Sequence, residues 1–292
     1  MYLRAAFAAL TIGLMVPALA SAEEFSGARA LAYASRATSY GPRPAGSPAL
    51  ARLRAYIERE ARAEGCHVSE DKFTASTPAG PIQMVNIIAK LPGDGKRAIV
   101  FTGHYDTKRL PDFVGANDGG SSTGFLLEMA RALAPQNRID DVYFVWFDGE
   151  EAVRHEWAGV DNLYGSRHLA ARWAADGTLA RVKALINVDM IGDEDLDIKS
   201  ETLSNASLRS LVWRTAQELG YGRFFLSSGG EVEDDHAPFL DAGVAALDII
   251  DFDYGPGNAY WHQPTDTVDK LSAHSLEIVG NVLMAVWRKL DE

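Results

Sequence analysis

Four stretches of this 292-residue chain place acids and imidazoles directly behind runs of apolar residues. His104 and Asp106 follow the run 98–102; Asp148, Glu150 and Glu151 follow 142–147; Asp189 follows 184–188; and His262 lies in the loop after 244–250. Carboxylate oxygen and imidazole nitrogen are ligands that zinc takes in near-tetrahedral geometry, and a catalytic zinc keeps one position open. Glu150 and Glu151, with only Asp148-Gly149 between them and the end of an apolar run, suit a division of labour. A tight turn sends one carboxylate to a metal and leaves its neighbour facing substrate as a proton carrier. Each signal is ordinary alone, since single histidines serve structure and paired glutamates decorate surfaces. Four separate strand-like runs each delivering such groups at their ends are hard to obtain from solvated loops.

Alternating strand-like and helix-like segments must position them. Ser47 can cap a helix over 47–64 that Gly65 ends. Strands are expected over 82–91 and 98–102, joined by the turn-like Pro92-Gly93-Asp94-Gly95, then a helix over 122–133, a strand over 142–147, a helix over 166–175 and a strand over 184–188. A strand over 244–250 and a last helix over 272–290 complete the set. This order predicts an α/β fold, a three-layer α/β/α sandwich with a mostly parallel, mixed central sheet. Ligands of such sheets gather beyond the carboxyl ends of the strands, which is where the acids and imidazoles fall.

The chain opens with Met1-Tyr2-Leu3-Arg4, an apolar stretch to Ala20 and the small residues Ala20-Ser21-Ala22. That is the pattern of a secretory signal peptide over 1–22, too short and interrupted for a membrane span. The expected protein is secreted or periplasmic, with no stable membrane insertion after cleavage. Residues 23–292 show no repeat, low-complexity tract or linker and read as a single catalytic domain, with 47% hydrophobic residues for its core. A net charge of −12 repels phosphate, which argues against nucleic acid and anionic membranes as partners. Cys66 is the only cysteine, so there is neither a disulfide framework nor a thiolate zinc cluster.

Gly103-His104-Tyr105-Asp106-Thr107-Lys108, Gly115-Ala116-Asn117-Asp118-Gly119, Asp148-Gly149-Glu150-Glu151-Ala152, Val188-Asp189-Met190-Ile191-Gly192 and Trp261-His262 resemble, in this order, the metal-dependent aminopeptidases of the M28 clan. Asp161-Asn162-Leu163-Tyr164-Gly165-Ser166-Arg167-His168-Leu169-Ala170 and Asp234-Asp235-His236-Ala237-Pro238-Phe239-Leu240 are more similar to its glutaminyl cyclase (glutaminyl-peptide cyclotransferase) branch. The likeness covers roughly residues 80–290 and implies a zinc-exopeptidase-like fold. It implies that Asp118, Glu151 and His262 bind one Zn(2+), that Glu150 is the general acid and base, and that the substrate is a peptide with a free N-terminus. In the peptidases, His104 and Asp189 would bind a second metal with Asp118 bridging. In the cyclases, a single zinc is held and Asp189 joins Glu150 and Asp234 in an acid network. Trp157, Trp261 and Lys108 would line the substrate pocket.

Two activities follow from the resemblance: conversion of an N-terminal glutamine to pyroglutamate with release of ammonia, or hydrolysis of the first peptide bond. Asp234, where the peptidases more often carry serine, Trp261 before His262, and Lys108 follow the cyclase pattern. Val188-Asp189-Met190-Ile191-Gly192 is closer to the peptidases, and Asp248 stands where the animal cyclases have a histidine. A non-catalytic, peptide-binding relative would show eroded ligands, whereas here every expected position is filled.

Overall fold

The computed structural model describes residues 24–154, 157 and 159–292. The leader expected over 1–22 lies outside the described residues. Helix α1 (Gly27–Thr38) and helix α2 (Pro48–Ala63) precede a hairpin of β1 (His67–Thr77) and β2 (Gly80–Leu91). There follow β3 (Ala98–His104), α3 (Gly120–Leu133), β4 (Asp141–Phe147), α4 (Tyr164–Asp176), β5 (Val182–Asp189), the short β6 (Ile198–Lys199), α5 (Ala206–Glu218) and the short β7 (Phe225–Leu226). The chain ends with α6 (Ala237–Asp241), β8 (Ala246–Ile250) and α7 (Ala273–Leu290).

Six strands form one sheet in the order β1-β2-β4-β3-β5-β8. β4, β3, β5 and β8 run parallel, and the β1–β2 hairpin adds antiparallel strands at one edge. Because side chains alternate along a strand, each central strand feeds two cores. Ile99, Phe101, Val142, Phe144, Trp146, Ile186 and Ile249 pack beneath α1, α2, α3, α5 and α7. Val100, Val145, Phe147, Leu185 and Ala246 pack on the other face against α4 and Phe239 of α6. The result is the expected three-layer sandwich, with both faces of the sheet covered as parallel strands require.

The expected elements lie within two or three residues of those observed. Ser47 does cap α2, its hydroxyl accepting the Leu50 N–H at 3.1 Å, and Pro48 takes the first helical position, where its missing N–H costs nothing. Six elements were not expected: α1, β1 and α5, and the short β6, β7 and α6. α1 buries alanines against α3, and their small volumes give a weak apolar pattern. The two helices approach so closely there that a Cβ added at Gly124 would collide with the Ala30 carbonyl oxygen. β1 is an edge strand whose side chains are mostly exposed or half-buried, so its sequence lacks a clear apolar face. α5 packs by one face on α7. Among the described residues, no helix is long and apolar enough to cross a membrane.

Candidate active site

Because β3, β4, β5 and β8 are parallel, their carboxyl ends open on one edge of the sheet. β3 ends on His104 and β5 ends on Asp189, so these two groups are the last residues of strands rather than loop residues. Beyond β4, Gly149 takes φ +71° between Asp148 and Glu150, where a Cβ would meet the Met84 sulfur at 2.5 Å. The main chain of that turn is fixed by Tyr164 N–H donating to Gly149 O and Leu163 N–H to Glu150 O, both at 2.8 Å. Asp106 accepts the Glu150 N–H at 3.2 Å. Asp118 stands just before α3, which starts through Gly119 at φ +75°. A Cβ there would lie 2.6 Å from the Asp106 carbonyl oxygen and 3.0 Å from the His104 ring, so glycine is required twice over. Asp266 accepts the N–H groups of Asn117 and Asp118 at 2.8 and 3.2 Å. Buried Arg43 donates to the carbonyls of Tyr105, Val114 and Gly115, tying down the loop that leads to Asp118.

These anchors bring Asp118, Glu151 and His262 together, with one ligand atom of each within 4.8 Å of the others. His262 Nε2 stands 3.2 Å from Asp118 Oδ2 and 3.2 Å from Glu151 Oε1. Both oxygens are buried with no hydrogen-bond donor. Lone pairs converging without donors are costly unless a cation receives them, and two carboxylates with one imidazole are a zinc donor set. The residues fit the ion. The Glu151 carboxylate keeps its other oxygen 3.2 Å from the ammonium of Lys108, which is buried rather than solvated. Burial lowers the affinity of His262 for a proton, but the adjacent carboxylates of Asp118 and Glu151 outweigh it and raise its pKa to about 9. A cation entering the trio therefore displaces a proton.

A second trio lies deeper. His104 Nε2 is 3.1 Å from Asp189 Oδ1 and 3.3 Å from Asp118 Oδ1, so Asp118 belongs to both sets. Burial works against the imidazolium of His104, yet Asp189 and Glu150 reverse that and hold its pKa well above the usual value. Glu150 is buried beside this ring, Oε2 to Nδ1 3.8 Å. Burial pushes its carboxyl well above the ordinary range, with His104 opposing and Glu151, Asp234 and Asp235 reinforcing. Asp234 is raised in the same way, by burial first and then by Asp189 and Asp235, and its Oδ2 has no partner.

Asp118, Glu150, Glu151, Asp189, Asp234, Lys108, Trp157, Trp261 and His262 all face one cavity of about 550 Å³. His104 sits behind its floor. Trp261 stacks on His262 with ring centroids 4.1 Å apart, and Phe252 tilts against Trp261 at 5.1 Å. Trp157 is at the mouth, its indole N–H donating to Glu233 at 3.3 Å. Asp248 does not reach the cavity. It lies in β8, accepting from Asn187 at 3.1 Å, with its other oxygen unpartnered. Phe252, Asp235, Asp266 and Arg43 were not singled out from sequence. Asp235 adjoins Asp234, which was, and Phe252 lies two residues past the expected strand end at Ile250, while Asp266 and Arg43 act on main chain far away in sequence and carry no local mark. Cys66 is buried outside the site, and burial pushes its thiol up to about 12.

Residues 86–287 match the family model of peptidase family M28. A glutaminyl-peptide cyclotransferase-like protein of Mus musculus is 33% identical over 279 residues, covering 84% of this chain and 72% of that protein. The crystal structure of a glutaminyl cyclase from an Acidobacteriales bacterium is 40% identical with TM-score 0.88, over 96% of this chain and 99% of that one. A Zn-dependent exopeptidase from Parabacteroides distasonis shares the fold, with TM-score 0.81 at 23% identity over 91% and 99% of the two chains. The chain belongs to peptidase family M28, in its glutaminyl-peptide cyclotransferase branch.

Proposed function

We propose that the protein is a zinc-dependent glutaminyl-peptide cyclotransferase, converting the N-terminal glutamine of peptides to pyroglutamate with release of ammonia. The observation that carries this reading is the meeting of Glu150 and Asp234 at one cavity wall, two buried carboxyls both held well above the ordinary range. Cyclisation needs a proton taken from one nitrogen and returned to another, with no water as nucleophile, and such a pair suits that transfer. The near-full-length likeness to a glutaminyl cyclase supports it.

Asp118, Glu151 and His262 would hold the zinc, which when bound polarises the γ-carbonyl of the substrate glutamine as a Lewis acid. Glu150 accepts a proton from the α-amine as its nitrogen bonds to the side-chain carbonyl carbon. The same carboxyl then gives that proton to the carboxamide nitrogen as the carbon–nitrogen bond breaks and ammonia leaves. Asp234 and Asp189 line the same cavity, and Asp234 adds to burial and Glu151 in favouring the protonated form of Glu150 between the two transfers. Trp261 and Phe252 keep bulk water from the amine. Lys108 holds the second oxygen of Glu151 and so orients the first. The reading includes export through the leader 1–22, and residues 23–292 acting as one catalytic domain.

A second reading, metallo-aminopeptidase, is favoured by one observation: His104, Asp118 and Asp189 converge as a second ligand set. The test is incubation of the zinc-loaded protein with a glutamine-starting peptide, followed by mass spectrometry. Loss of one ammonia from the intact peptide supports the cyclase; release of a free first residue without that loss overturns it. Zinc counted per chain at two, instead of one, supports the peptidase arrangement.

A further inference from the structure

Outside its metal trio, the cavity opens on a mouth whose acids take no part in the proton transfer. Trp157, Lys199, Glu231, Glu233, Phe252 and Asp253 line it. Trp157 and Phe252 are 38% and 40% exposed, and the three acids are exposed as well. Among the described residues, two lysines line the cavity, and both are engaged: Lys108 by Glu151 inside and Lys199 by Asp253 at the mouth. Glu233 stands 3.8 Å from Arg167, a loose and exposed pair. Glu231 has no ion pair or hydrogen bond among the described residues. The mouth is thus acidic and aromatic, with no free cation among the described residues. Behind it lie Glu150, Asp234 and the metal trio, lining the same cavity.

We propose that this mouth selects peptides with lysine or arginine in the two residues that follow the N-terminal glutamine, with Glu231 as the principal specificity residue. The inference rests on the cyclase reading for the identity of the first residue. A guanidinium or ammonium lying over Trp157 or Phe252 gains from the ring face, and Glu231 and Glu233 supply the opposite charge. Acidic side chains at the same place meet like charge. Each exposed charge contact is worth about 1.5- to 5-fold in affinity, and two together about 10-fold at low salt. Such contacts weaken once the screening length falls below their spacing.

The test compares Gln-X-Ala amides with X arginine, alanine or glutamate on the zinc-loaded full chain, at about 0.02 M and about 0.5 M ionic strength. The expected order in kcat/KM is arginine, alanine, glutamate, spanning about 10-fold at low salt and about 2-fold at high salt. In Glu231→Lys the arginine-to-glutamate ratio falls to one or below. Ammonia release that is indifferent to X, or faster with glutamate, overturns the proposal and leaves the cyclase reading standing. Calorimetric binding of the same peptides to zinc-loaded Glu150→Gln reads the ranking without turnover. Ranked binding with no ammonia from the wild type sinks the cyclase reading and keeps the mouth's selectivity; unranked binding sinks the selectivity alone.

Discussion

Replacing Glu150 by glutamine separates proton transfer from everything else the site does. The substitution keeps volume and shape, and the groups through which Glu150 fixes the turn, its N–H donating to the Asp106 carboxylate and its carbonyl oxygen accepting from Leu163 N–H, are main chain. The metal trio does not include this side chain. On the proposed mechanism what is lost is the carrier, and a positioned general acid and base contributes about 100- to 10,000-fold, or about 3–5 kcal/mol of barrier. Stability should move the other way. Burial raises the folded-state pKa of Glu150, helped by Glu151 and Asp234 against His104, so the folded protein binds a proton that the unfolded chain releases. The associated stability is full below the unfolded pKa and is lost as pH rises through the folded one, at about 1.4 kcal/mol for each pH unit that separates the two. Glutamine carries no such penalty at alkaline pH. Glu150→Gln should therefore unfold in urea at the same or higher concentration than wild type at pH 8, with the difference shrinking toward pH 5. Ammonia release, zinc content by mass spectrometry and urea midpoints at both pH values check all three. A variant that keeps more than about a tenth of kcat refutes the carrier assignment, because general catalysis is rarely so weak. One that loses its zinc refutes the separation of roles.

Glu151→Gln removes a ligand oxygen and should weaken zinc binding by about 100-fold or more in competition with a chelator, beyond what loss of an outer-shell partner costs. Lys108→Met leaves a buried carboxylate oxygen without its cation, and should cost about 3–5 kcal/mol in urea unfolding of zinc-stripped protein. Gly119→Ala forces a Cβ onto the Asp106 carbonyl in a left-handed backbone, and should lower zinc affinity more than it lowers the unfolding midpoint. Asp251 is raised to about 7, by burial first and with Asp197 and Asp193 contributing. Wild type loses that stability as pH climbs from about 4 to about 7, so the midpoint of Asp251→Asn relative to wild type should rise between pH 5 and pH 8. A constant difference across that range excludes the linkage.

The layers, the parallel strands and the edge at which the ligands meet were legible because apolar runs and polar strand ends are local signals. Val142 to Phe147 states its burial in six consecutive residues, and Glu150-Glu151 follow at a fixed distance. α1 and β1 escaped for opposite reasons: alanine is too small to mark a core face, and an edge strand has no core face to mark. The convergence of Asp118 with His262, 144 positions apart in the chain, was legible only through family resemblance, since spacing alone does not bring them together. Arg43 and Asp266 were invisible because each grips backbone atoms of a distant loop, and backbone has no sequence. Lys108 does face the cavity as the resemblance implies, and the structure adds a role that the sequence does not show, a buried partner of Glu151.

Asp118 offers one oxygen to the trio with His262 and the other to the trio with His104. A residue with this double allegiance cannot drift in sequence toward either arrangement without weakening both, which makes it the least evolvable point of the site. Any route in the laboratory from one chemistry of this fold to the other runs through His104, Asp189 and Asp234, whose identities can change one at a time while the trio of Asp118, Glu151 and His262 stays whole.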